Sequence, residues 1–270
     1  LWIGASVSVL AVIAAFLTGM VWWSRHSALG QLREAIEAMP DGLGFYDADD
    51  RLAIWNQRYA RFCPQCLAED STWRASWELF FHDACPRHGG WLVDICSSCG
   101  ESVRWHRESL LRCQCGSDLR EESPGTAPEN VRRLSGILED KLLCRGDANV
   151  PPPLIGLDVD QTQRLIRYLG GYMDPGPNPK PLKLRNAGRL EVSWPVSSLA
   201  AEIIFDWANA LHCTLDRLQA ASAHEKAGLT GVFKQAYSYL YKGFTESAFA
   251  PIRETFEAWL AAHWKGGVAR

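Results

Sequence analysis

Residues Leu1 to Trp23 are mostly apolar and contain no charged side chain, a stretch longer than the roughly 20 residues a helix needs to cross a bilayer. The pattern predicts a transmembrane helix over residues 1–23. Trp2, Trp22 and Trp23 fall at its interfaces, and Arg25 places its C-terminal side in the cytoplasm. From residue 120 to residue 270 the periodicity is different, and apolar positions recur at helical spacing. Val131, Leu134, Leu138 and Leu142 define one face of a helix that Thr126 and Glu129 are placed to cap as a capping box. Leu165, Leu169 and Tyr172 form the stripe of a second helix ending at Gly170 and Gly171. Residues 174–181, "DPGPNPKP", can be neither helix nor central strand and predict a linker. Three further helical patterns follow in "VSSLAAEIIFDWANALHCTLDRLQ", "GVFKQAYSYLY" and "FAPIRETFEAWLAAHW".

Between these regions, "LREAIEAMPDGLGFYDADDRLAIWNQRYA" reads as a short amphipathic helix, a Pro-Asp-Gly break and two strand-like runs around "DADD". Residues 29–60 resemble the opening of a PAS sensor domain, with Trp55 and Asn56 starting the next helix. The resemblance ends near Ala60, and so short a segment cannot bury a core of its own.

Charge narrows the classes. The net charge is −3, and no region has a basic excess: residues 1–60 carry 4 basic and 6 acidic groups, 61–119 carry 6 and 8, and 120–270 carry 18 and 17. A free-standing DNA binder that works through phosphate contacts is excluded on this count. Seven of the 9 cysteines crowd between Cys63 and Cys115. An odd total with short paired spacings fits metal binding in a reducing compartment better than a secreted disulfide framework.

The crowded segment, residues 61–119, holds four pairs in order: Cys63 and Cys66, Cys85 and His88, Cys96 and Cys99, Cys113 and Cys115. Eight ligands make two tetrahedral sites. Taken sequentially, Cys63, Cys66, Cys85 and His88 form one, and Cys96, Cys99, Cys113 and Cys115 the other; a cross-braced set, with the first and third pairs sharing an ion, has compatible spacing. Thiolate-rich tetrahedral sites with no open position favour two structural zinc ions. Gly89, Gly100 and Gly116 follow the last ligand of a pair, where a metal knuckle turns back with positive φ. A thioredoxin-like role for "CPQC" needs no further pairs and is the weaker reading. Trp73, Trp77, Phe80, Phe81, Trp91 and Trp105 are expected to pack over the sites. His82 and His106 are expected at the surface or beside the ligands, and Cys144 and Cys213 as core thiols. Asp206 and Trp207 are read as capping and packing a helix.

These residues carry a specific resemblance. "RFCPQCLAED", "WRASWELFFHDACPRHGGWLVDICSSCG" and "VRWHRESLLRCQCG" are similar to the zinc region of the TniQ family, target-selection proteins of transposons, and the helical motifs of the tail follow in the family's order. The resemblance runs from about Arg61 to Gly267. It implies a non-catalytic adaptor that links target DNA, or a DNA-bound targeting complex, to an AAA+ ATPase and its transposase. The eight residues named above take the zinc-ligand roles.

The expected architecture is α+β and mainly α: two small zinc ribbons or knuckles followed by a helical domain, with an N-terminal transmembrane helix. The expected location is the cytoplasmic side of the bacterial inner membrane, or the cytoplasm if the chain lacks its anchor. The competing reading is a membrane-anchored PAS-type sensor whose zinc module docks an effector.

Overall fold

The structure, a computed structural model, describes residues 44–46, 52–55, 60–105, 107–146, 149–174, 188–222 and 228–264. It divides into two compact units, residues Leu1–Arg58 and Tyr59–Arg270. In the first, β1 (Gly44–Tyr46) pairs antiparallel with β2 (Leu52–Trp55), with Phe45 opposite Ile54 and an irregularity between Phe45 and Tyr46. These are the two strand-like runs flanking "DADD". The expected transmembrane helix, the linker beyond residue 174, and His106 lie outside the described residues. Among the described residues, no helix is long and apolar enough to cross a membrane.

The second unit has two cores. One belongs to the cysteine module and gathers Phe62, Leu67, Trp77, Leu92, Val103 and Leu119 around buried cysteines. The other belongs to the helices. Among its described residues the module has a short helix, α1 (Pro64–Asp70), and a 3-10 turn at Ala75–Glu78, joined by turns and isolated antiparallel bridges, among them Phe62 with Val93, Ala84 with Trp91 and Ile95 with Ser102. So few apolar residues make a thin core, and the cysteines fill the remainder.

The helices are α2 (Glu129–Leu142), α3 (Val159–Arg167), α4 (Leu190–Phe205), α5 (Asn209–Ala221), α6 (Leu229–Lys242) and α7 (Ala250–His263). The α2 stripe buries Val131, Leu134 and Leu138 as its periodicity predicts. Its cap differs from expectation: Pro128 occupies the N-cap and no side chain bonds there. The capping box is instead on α3, where the Asp158 side chain accepts from the Gln161 N–H and Gln161 reaches back to the Asp158 N–H.

Gly170 and Gly171 do not end their helix. The chain continues through them as a π-helical turn, Tyr168–Tyr172. The role of Gly170 is close approach: a Cβ there would stand 1.9 Å from the Val196 carbonyl oxygen of α4. The longest apolar pattern also divides, because Ala208 adopts a φ of 71° and separates α4 from α5. Asp206 stands at that break and accepts from the Asn209 side chain, while Trp207 packs on the helical core.

Candidate metal centres

Three of the four ligand pairs sit on turns of one design. The Cys85 carbonyl accepts from the Gly89 N–H at 2.9 Å, and the Cys85 N–H returns to the Gly90 carbonyl. The Cys96 turn repeats this with Gly100 and Glu101, and the tighter Cys113 turn does so with Gly116 and Ser117. The glycines have φ values of 73°, 72° and 93°, in the left-handed region the knuckle requires. The first pair is held differently. Cys63 is the N-cap of α1, Pro64 starts the helix, and Cys66 lies in its first turn.

These turns bring the eight side chains together in two groups, Cys63, Cys66, Cys85 and His88, and Cys96, Cys99, Cys113 and Cys115, with the ligand atoms of each within 4.8 Å of one another. This is the sequential grouping. In the first, His88 Nδ1 lies 3.4–3.5 Å from all three sulfurs, and Cys66 Sγ lies 3.7 Å from Cys85 Sγ. In the second, Cys96 and Cys115 are 3.9 Å apart and Cys99 and Cys113 3.8 Å. A tetrahedral ion with metal–sulfur bonds of ~2.3 Å sets its sulfurs about 3.8 Å apart, so both groups fit such an ion. The spacing is far too long for a disulfide, and all nine cysteines are free.

Electrostatics leads to the same conclusion. Hydrogen bonds from the Cys63 and Cys66 thiols hold Cys85 far below the ordinary thiol range, and Cys66, crowded by Cys63 and Cys85, is driven far above it. In the second group the Ser117 hydroxyl brings Cys115 down to about 6, while burial pushes Cys113 up to about 12. Thiols packed this closely cannot all ionise unless a cation joins them.

The structure adds a group that the sequence reading did not single out. Glu69 Oε1 lies 2.8 Å from His88 Nε2, and its other oxygen accepts from Arg87 at 2.8 Å. With Nε2–H donating to this carboxylate, the Nδ1 lone pair faces the sulfurs, a common support for a ligating histidine. Glu69 follows Cys66 by three residues, so it was within reach of inspection, but an acid on a short helix carries no spacing signal.

Several expectations need correction. His82 is fully buried, with Nε2 3.7 Å from Glu139. Cys144 and Cys213 are exposed rather than core thiols; Cys144 stands just beyond the end of α2 with a φ of 52°, where the apolar stripe no longer faces the core. The aromatic group also divides. Trp77 is buried in the module core with Trp73 and Trp105 against it, whereas Phe80, Phe81 and Trp91 join the helical core.

The TniQ family model matches residues 31–92. TniQ domains belong to transposition-associated targeting proteins. The match begins about thirty residues before the expected boundary at Arg61, so it takes in most of the segment read as PAS-like, and it ends at residue 92 rather than near Gly267. It contains the whole first cluster and none of the second. No curated protein matches the chain.

Proposed function

We propose that this chain is a zinc-stabilised, non-catalytic adaptor in DNA transposition that contributes to target-site selection, joining target DNA or a target-bound complex to an AAA+ ATPase and transposase. The observation that carries the reading is the TniQ match lying across Cys63, Cys66, Cys85 and His88. Two clusters with seven thiols and one imidazole between them favour zinc, and with all four positions of each taken by protein they leave no site for a reacting water. A net charge of −3 agrees with docking on protein partners rather than holding DNA through phosphates.

The test is a pull-down of the metal-loaded full chain with the ATPase encoded in the same transposon, in the presence of nucleotide and target DNA. Retention of the ATPase is expected, with two zinc ions per chain by elemental analysis. If the metal-loaded chain fails to associate at micromolar concentrations, the adaptor reading falls. If iron is found in place of zinc, the metal assignment falls.

A further inference from the structure

Three short stretches share a form that metal ligation alone does not explain: "RFC", "DAC" and "DIC" each place a charged residue two positions before a cluster cysteine. The residues are Arg61 before Cys63, Asp83 before Cys85 and Asp94 before Cys96. All three charged side chains are buried, at 2%, 0% and 7% exposure. Buried charges require partners, and here the partners converge on α4. Arg61 donates to Asp83 Oδ1 at 2.7 Å and also to the Leu79 carbonyl. The Ser193 hydroxyl donates to Asp83 Oδ1 and the Ser197 hydroxyl to Oδ2, each at 2.6 Å. These serines are four residues apart on one face of α4. Asp94 Oδ2 accepts from the Leu190 N–H at 2.7 Å, satisfying one of the free donors at the helix start.

In extended backbone, residues two apart project to the same side. A cysteine and the charged residue two before it are therefore placed by one short segment, and fixing one fixes the other. Backbone bonds pin these segments together: Phe62 with Val93 in both directions, Leu92 N–H to the Asp83 carbonyl, and Val103 N–H to the Asp94 carbonyl. The first cluster ties Cys63 to Cys85, the segments that carry Arg61 and Asp83. The second ties down Cys96, next to Asp94.

We propose that the two metal clusters fasten the helical half of the chain to the cysteine module, with Arg61, Asp83 and Asp94 as a polar clasp that seats α4 only while the metals hold the ligand segments in place. Hydrogen bonds of 2.6–2.7 Å lose strength steeply with displacement and misalignment. Metal loss that lets Cys63 part from Cys85 separates Arg61 from Asp83 and leaves a buried carboxylate on which α4 cannot settle. The orientation of the helices is thereby made conditional on metal occupancy. The inference rests on metal binding and not on the transposition reading, so the ATPase experiment does not bear on it.

The test is hydrogen exchange on the full chain, zinc-loaded and after chelation, comparing α4 (Leu190–Phe205) with α7 (Ala250–His263). Chelation is expected to raise exchange in α4 at least tenfold while α7 changes little. A companion variant, S193A/S197A, leaves the Arg61–Asp83 pair intact. It is expected to keep both metals yet show fast α4 exchange before chelation. An α4 that is indifferent to chelation, or that loosens only in step with α7, overturns the proposal, as does an S193A/S197A protein with wild-type α4 protection.

Discussion

The two metal clusters have nearly the same ligand chemistry but different surroundings. In the first, all three cysteines are buried; in the second, Cys99 and Cys115 are exposed. The first has a carboxylate behind its histidine and, through Arg61 and Asp83, a buried connection to α4. The second is linked to that helix through Asp94, two residues before Cys96. The family match contains the first and stops before the second. Similar side-chain sets therefore sit in different settings: the first group joins the segments that carry Arg61 and Asp83, whereas the second has Cys96 and Cys113 in the module core and Cys99 and Cys115 at the surface.

Cys85→Ser and Cys113→Ser give the strongest test of that contrast. Each should lose one ion. Cys85→Ser should also free the segment that carries Asp83, and breaking a buried ion pair costs about 3–5 kcal/mol. Urea unfolding of the full chain is expected to show Cys85→Ser less stable than Cys113→Ser by that order. Equal losses would mean that the first cluster is no more central than the second.

Glu69→Ala comes next in size. Removing the carboxylate that orients a ligating histidine weakens metal binding by about 10–100-fold, and competition with a chromophoric chelator should place that loss in the first cluster only. Glu69→Gln, which retains an acceptor oxygen, should lose less. A loss divided between the clusters would break the assignment of Glu69 to His88.

The difference between the clusters was only partly visible in the chain. The eight candidate ligands and the knuckle glycines were legible from spacing, which left sequential and cross-braced pairings both open; the structure brings the side chains together in the sequential groups. The helical stripe of α2 was legible for a similar reason, since its burial is set by a local period. What spacing could not supply was anything settled by a distant segment. Gly170 and Gly171 read as a helix end because nothing nearby announces the Val196 carbonyl pressed against Gly170. Glu69 is an ordinary surface acid until His88 arrives from nineteen residues away. The charged residues of "RFC", "DAC" and "DIC" did form a pattern in the chain, but its meaning depends on distant α4, where Ser193 and Ser197 meet Asp83 and the Leu190 N–H meets Asp94. Cys144 and Cys213 mark the reverse error: an apolar neighbourhood in sequence determines neither where a helix stops, as at Cys144, nor which face of one a thiol occupies, as at Cys213.

The smallest expected effect belongs to Ser117, whose hydroxyl lies 3.4 Å from Cys115 Sγ and holds that thiol at about 6. The sign follows from the depressed value. In the metal-free protein the thiolate contributes stability that is complete above the ordinary thiol range, near about 8.5, and is lost as pH falls through about 6. Protons compete with the metal for the same sulfur, so a lower thiol pKa keeps the second cluster loaded to lower pH. Ser117→Ala removes that hydroxyl and raises the Cys115 thiol. The pH at which the second ion is released should move up, with less than about a tenfold loss of affinity at pH 7. The first cluster should release its ion at an unchanged pH, and a shift in both profiles would show that the two sites are coupled more tightly than their surroundings imply.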